Sequence, residues 1–119
     1  MKVERLQGYI QIKPLSVNEA WQGRRFKTPK YTGYEKELLL KLKPLPLPEP
    51  PYEISFTFGL SNINADWDNP VKPFQDILQK KYKFNDKDIM RAVVNKIIVP
   101  KGSEFISFNI VSHGNLSYR

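Results

Sequence analysis

The sequence predicts an α+β fold: one domain over residues 1–119, with a mixed β-sheet of about four strands and two helices. Three observations predict it. Tyr52 to Gly59 alternates with period two, Ile54, Phe56 and Phe58 against Glu53, Ser55 and Thr57, the pattern of a half-buried strand of antiparallel style. Two other stretches carry apolar residues at helical spacing, Tyr34, Leu38 and Leu42 in one, Val71, Phe74, Ile77 and Leu78 in the other. The order strand, helix, strand, helix, strand, strand, without an internal repeat, fits a mixed domain. A chain of 119 residues holds one hydrophobic core rather than two.

The elements follow in order. Leu6 to Lys13, around Tyr9-Ile10-Gln11-Ile12, reads as a first strand that Pro14 ends. Ser16 to Lys30 has no clear period and reads as a long loop. Thr32-Gly33-Tyr34-Glu35 has the spacing of a capping box and predicts a helix start. Pro44 stops that helix, because it disfavours helical geometry at Lys43. Pro44 to Pro51 is proline-rich and predicts an extended connector. After the Tyr52–Gly59 strand and a polar loop, Asn69-Pro70 suits a helix N-cap followed by proline at the first helical position. That helix ends near Lys81. Ile89 to Val99 and Glu104 to Val111 read as strands, and the turn residues Pro100-Lys101-Gly102-Ser103 predict that they form a hairpin.

Composition excludes several kinds of chemistry. There is no cysteine, so disulfides, thiolate nucleophiles and cysteine-ligated metals are absent, which fits a cytoplasmic location. No apolar run approaches the ~20 residues of a membrane span. The single histidine, His113, lies near the C-terminus and reads as a surface residue at a strand end. The net charge of +7 implies an anionic partner, most commonly nucleic acid.

Against that basic background, Asp66-Trp67-Asp68-Asn69-Pro70-Val71-Lys72 crowds two carboxylates, and Asn85-Asp86-Lys87-Asp88 follows one helix later. Close carboxylates repel unless a cation lies between them. In an extended segment Asp66 and Asp68 point to the same side and reach one cation, and a chain reversal after the helix brings Asp86 to the same place. A calcium EF-hand also begins Asp-x-Asp, but its sixth position requires glycine and its twelfth glutamate; Val71 and Ile77 stand there. Magnesium, with oxygen ligands and retained waters, suits the set better. Lys72, one turn into the helix, supplies positive charge for a departing oxygen or orients a water. Asn69 caps the helix, holds a carboxylate, or does both.

The pattern Asp66-x-Asp68-Asn69-x-x-Lys72, then Asn85-Asp86 and the strand from Ile89 to Lys96, resembles the RusA family of Holliday junction resolvases. Pro14-Leu15-Ser16-Val17-Asn18, followed by an aromatic and basic loop, resembles the start of that family too. The resemblance covers nearly the whole chain. It implies a magnesium- or manganese-dependent endonuclease that acts as a homodimer on four-way DNA junctions, making paired nicks in recombination and repair, of a kind frequently encoded by phages and prophages. By position it implies Asp66, Asp68 and Asp86 as catalytic metal ligands and Lys72 as the essential lysine, with Asn69 in a supporting place. The chain departs from the family in having Asn85-Asp86 where an acidic pair is usual, which makes Asp88 a rival for the third ligand. It also lacks basic residues in the loop Ser61 to Ala65.

For DNA, Trp21 to Tyr31 interleaves bases and aromatics. Arg24, Arg25, Lys27 and Lys30 are expected on phosphates, while Trp21 and Tyr31 serve either base stacking or the core. Lys80, Lys81 and Lys83 form a second basic cluster that either meets phosphate or complements the helix C-terminal dipole. Two other readings compete: a non-catalytic nucleic-acid-binding module, and a metal-dependent phosphohydrolase on a small substrate.

Overall fold

The computed structural model describes residues 3–23 and 26–113. Nine of its elements are introduced in chain order: strand β1 (Arg5–Ile10), the short helix α1 (Val17–Ala20), strands β2 (Trp21–Gln22) and β3 (Phe26–Lys27), helix α2 (Pro29–Lys41), strand β4 (Tyr52–Leu60), helix α3 (Val71–Tyr82), and strands β5 (Ile89–Ile98) and β6 (Phe105–Ser112). A single 3-10 turn, Asp86–Asp88, joins α3 to β5. The predicted α+β domain with a mixed four-stranded sheet is what forms.

The sheet order is β1-β6-β4-β5. β6 pairs antiparallel with both β1 and β4, while β4 and β5 run parallel. Alternation decides which face is buried. Ile54, Phe56 and Phe58 of β4 and Ile106, Phe108 and Ile110 of β6 point to one side and are buried there. Phe74 of α3 packs on that side, its ring centroid 5.2 Å from Phe56, 6.0 Å from Phe58 and 5.8 Å from Phe108. Tyr31, Tyr34 and Leu38 of α2 join the same core. The opposite face, with Ser55, Thr57, Ser107 and Asn109, is only partly covered. Gly59 lies on it because Phe105 occupies the space: a Cβ there would stand 2.3 Å from the Phe105 ring.

Several local expectations are corrected. The last two strands are not a hairpin. β6 inserts between β1 and β4, and β5 takes the outer edge. The Pro100–Ser103 turn does form, with Ser103 N donating to Pro100 O at 2.9 Å and Gly102 at φ +95°. Turn chemistry fixes a local reversal and does not name the strand partner. The more strictly alternating β6 has the better apolar face, so it takes the interior position. α2 begins three residues before the predicted Thr32: Thr28 is its cap, accepting from Tyr31 N at 3.2 Å, with Pro29 in the first turn. Thr32 is spent inside the helix. The Ser16–Lys30 stretch is not wholly loop, since α1, β2 and β3 lie within it, and the first strand ends at Ile10 rather than Lys13.

The aromatic cluster around Phe74 predicts where stability resides. Phe74 is 0% exposed, so Phe74→Ala is expected to cost about 3–5 kcal/mol. Phe26, 71% exposed, is expected to tolerate alanine within about 0.5 kcal/mol. Chemical denaturation of both variants checks the contrast; equal losses would place the core elsewhere.

Candidate active site

The acidic motif occupies the connection from β4 to α3. Asp66 and Asp68 are both exposed. They are not in an extended segment: Asn69 N donates to Asp66 O at 3.4 Å and Val71 N to Asp68 O at 3.1 Å, so residues 66–71 form consecutive turns. The same-side argument for i and i+2 therefore does not apply. Turn geometry keeps the two carboxylates close in sequence and open to solvent. Asn69 is not the N-cap either. Pro70 holds that position, in helical geometry and without a side-chain cap bond. Asn69 instead works through its backbone, its carbonyl accepting from Val17 N at 2.8 Å. That bond docks the Pro14–Asn18 stretch onto the acidic turn.

Between them lies a cleft of about 380 Å³ lined by Lys13, Glu19, Ser61, Asp66, Asn69 and Glu104, among others. Glu104 is a contributor that sequence reading passed over as a strand start. It is 8% exposed. Its carboxylate accepts from Ser61 Oγ and from Gly102 N, each at 2.8 Å. Its own backbone amide first, then the Ser61 hydroxyl, hold its pKa below the ordinary carboxylate value. The signal was weak: one glutamate beside a Gly-Ser turn, with no periodic pattern pointing inward.

Lys72 is in the first turn of α3 and pairs with Asp76 Oδ1 at 3.0 Å, one turn farther on. Both side chains are substantially exposed. Exposed pairs of this kind contribute about 0–1 kcal/mol, so the ammonium is readily drawn to a stronger anion.

Asp86 is in a different place. Tyr52 aligns with Ile89 and Leu60 with Ile98, so the turn at Asp86–Asp88 precedes β5 at the Tyr52 end of the sheet. Asp88 raises the pKa of Tyr52 there, after the larger effect of burial. The acidic turn at Asp66 follows β4 at the Leu60 end, where Lys96 Nζ donates to the carbonyls of Ile63 and Ala65. Eight residue steps of β4 separate the ends, about 26 Å at ~3.3 Å per residue. The chain reversal expected to bring Asp86 back to Asp66 does not occur within one chain, because α3 is the crossover of a parallel pair and carries the chain to the other end. Among the described residues, no three histidine, aspartate or glutamate side chains are grouped to hold a metal. Asn85 caps the 3-10 turn, accepting from Lys87 N at 3.1 Å.

The expected DNA contacts divide. Arg24 and Arg25 lie outside the described residues. Lys27 pairs with Glu35 at 3.2 Å and lies 5.1 Å from the Tyr31 ring centroid; Lys30 pairs with Glu19 at 3.0 Å. Tyr31 is a core residue, 2% exposed, whereas Phe26 and Trp21 remain accessible on the β2–β3 arm. Of the second basic cluster, Lys80 bonds Glu35 at 3.2 Å and Lys81 donates to Leu39 O, so both tie α3 to α2. Lys83 is the left-handed C-cap of α3 at φ 62°. Burial acts to raise Glu35, but Lys80 and Lys27 outweigh it and leave its pKa below the ordinary value.

No family model matches this chain, and no curated protein matches it.

Glu104 yields a pH prediction. A carboxylate whose folded pKa is depressed stabilises above its unfolded value and loses that contribution as pH falls through the folded pKa. Glu104→Gln is therefore expected to lower the melting temperature at neutral pH, with the gap from the parent closing as pH drops below the ordinary value of 4.5. Thermal melts across pH 3 to 7 measure this, and a gap independent of pH would show that the charge is not what matters.

Proposed function

We propose that the chain is a metal-dependent endonuclease acting on branched DNA, with Asp66 and Asp68 at the reacting centre. The observation that carries the reading is the exposed Asp66-Trp67-Asp68-Asn69 turn at the head of α3, beside a polar cleft, on a chain of net charge +7. Asp66 and Asp68, exposed and without an ion pair among the described residues, are chemically suited to Mg²⁺ or Mn²⁺, which commonly binds through one or two carboxylates plus waters and substrate phosphate. When bound, the ion supplies charge neutralisation at the phosphate and a more acidic water.

The chain's own residues have separate tasks in this reading. Asp66 and Asp68 hold the ion. Lys72, on leaving Asp76, places an ammonium near the head of α3, where it favours negative charge on a departing oxygen. The bond from Val17 to Asn69 keeps the turn in position. Lys27 and Lys30 are exposed enough for phosphates to compete with Glu35 and Glu19 for them, and such replacement makes binding salt-dependent. Trp67, 57% exposed between the two aspartates, is available to stack on a base or sugar. The four-way junction as substrate, and a third ligand at Asp86, come from the RusA resemblance.

The test uses labelled four-way junction, matched duplex and single strand, with Mg²⁺, Mn²⁺ or EDTA. Metal-dependent paired nicks confined to the junction are expected. Asp68→Asn should cut at least about 100-fold more slowly, the scale on which removal of one group stabilising transition-state charge is felt, while binding the junction as well or better. Near-normal cutting by Asp68→Asn would sink the site; binding without cutting under every metal would favour a non-catalytic module.

A further inference from the structure

The stretch just ahead of Asp66 has little packing to hold it. Ser61, Asn62, Ile63 and Asn64 are exposed, Ile63 at 71%, and Ala65 is half-buried. Burial of apolar surface is the main force that fixes a segment on a folded body, and this one has almost none. Its own bonds close a small turn, with Ala65 N donating to Asn62 O at 3.1 Å and Asn64 N to Asn62 Oδ1 at 2.9 Å. Those bonds shape the stretch without tying it to the sheet. Attachments from three other parts of the chain do that. Ser61 Oγ donates to Glu104, ahead of β6. Lys96 Nζ of β5 donates to Ile63 O at 2.8 Å and to Ala65 O. Val17 N of α1 donates to Asn69 O. The Lys96 and Val17 attachments bracket the span that carries both aspartates.

We propose that Lys96 is a positioning residue for the acidic turn: its ammonium fixes the backbone immediately ahead of Asp66, so that Asp66 and Asp68 are presented to a divalent cation in one arrangement. The hold on the backbone stands on geometry alone; its use for a metal rests on the endonuclease reading.

Lys96 is unlike a lysine whose task is solubility. Lysines on edge strands ordinarily keep the ammonium in water, where it discourages pairing. Lys96 is half-buried, aligned with Phe58 of β4, and spends two of its three donors on carbonyls of one loop. Charged donors make the stronger hydrogen bonds. The second carbonyl belongs to the peptide group whose nitrogen is that of Asp66. A peptide group is planar, so holding Ala65 O also sets the direction in which the chain enters Asp66. A bare charge effect would act in the opposite sense. Removing a cation from the neighbourhood of carboxylates favours the binding of another cation, whereas removing a positioning residue weakens it. The sign of the change separates the two.

Trp67 stands between the aspartates and reports on the turn once Trp21, the only other tryptophan, is replaced. In a Trp21→Phe background, Lys96→Met keeps an apolar stem and removes the ammonium. It is expected to lower the fluorescence anisotropy of Trp67 and to weaken Mn²⁺ binding, titrated calorimetrically, about 10- to 100-fold, the range seen when groups that orient metal ligands are removed. Circular dichroism should be unchanged. Lys101→Met, which removes an exposed charge from the turn after β5, should leave the anisotropy as it is and bind Mn²⁺ no more weakly than the parent. Unchanged anisotropy in Lys96→Met overturns the hold on the backbone. A loosened Trp67 with equal or tighter Mn²⁺ binding overturns the role at the site.

The chain has no cysteine, which permits a chemical rescue. Lys96→Cys should behave as Lys96→Met does. Alkylation with bromoethylamine, confirmed by mass, returns an ammonium at the reach of lysine and should restore both signals; alkylation with iodoacetamide, which adds no charge, should restore neither. Recovery with both reagents, or with neither, overturns the assignment to the ammonium. A parent chain that binds no Mn²⁺ and cuts no junction refutes the endonuclease reading and the metal role with it, while the hold on the backbone is still decided by Trp67.

Discussion

The parallel pairing of β4 with β5 is the constraint from which the rest of the architecture follows. Parallel neighbours need a crossover, and here α3 provides it, so the connection entering α3 and the one leaving it must lie at opposite ends of the sheet. The crossover is held in place by Phe74 against Phe56, Phe58 and Phe108. Those four rings lock the helix to the two central strands, and its two ends are then not free to approach one another. The acidic turn at Asp66–Asp68 and the 3-10 turn at Asp86–Asp88 inherit that separation. Within one chain, Asp86 therefore does not join Asp66 and Asp68.

A second layer of organisation is electrostatic. Glu35 receives Lys27 from the arm and Lys80 from α3 at 3.2 Å each, and Glu19 receives Lys30. Individually such pairs contribute little at a surface. Together they link the β2–β3 arm, α1, α2 and α3. The arm is also rooted through backbone: Val17 N to Asn69 O at one end of α1, and Thr28 N to Ala20 O at the other. The acidic turn, α1 and the root of the arm are thus joined by backbone hydrogen bonds.

The legible parts of the fold were those encoded by periodicity over many residues. Ile54, Phe56 and Phe58 face the core as their alternation requires, and Val71, Phe74, Ile77 and Leu78 line one side of α3. What short-range signals could not convey was partner choice. Pro100-Lys101-Gly102-Ser103 makes its turn, yet β6 leaves β5 and crosses β4, because sheet order depends on which strands compete best for interior positions. Capping signals were ambiguous for a related reason: Thr28-Pro29 and Thr32-x-x-Glu35 each satisfy the rule, and the bonds of Thr28 to Glu19 O and Ala20 O settle the start upstream. At the site, Asp66, Asp68 and Lys72 could be placed at the head of a helix from sequence. Glu104 could not be placed in the same cleft, since 43 residues separate it from Ser61. The distance of Asp86 followed only from the direction of β5, which no local pattern encodes.

The exposed apolar residues bear on what the surface is for. Scattered exposed side chains such as Tyr9, Leu40 and Leu45 are ordinary, but several others gather near the acidic turn. Ile63 (71%) and Trp67 (57%) flank the acidic turn, and Phe26 (71%) lies on the arm rooted beside it. Ile97 and Ile98 line the outer strand at the same end of the sheet, since Ile98 aligns with Leu60. The core does not require any of them: Phe58, Phe74 and Ile106 already fill it at 0% exposure. A protein that only folded would lose nothing by carrying polar residues at these positions and would gain solubility. Of these, Trp67 stands between the two aspartates and Phe26 on the arm rooted beside them. Under the endonuclease reading those two remain free to meet unstacked bases, with carboxylates between them and phosphates drawn in by lysines that hold only weak internal partners.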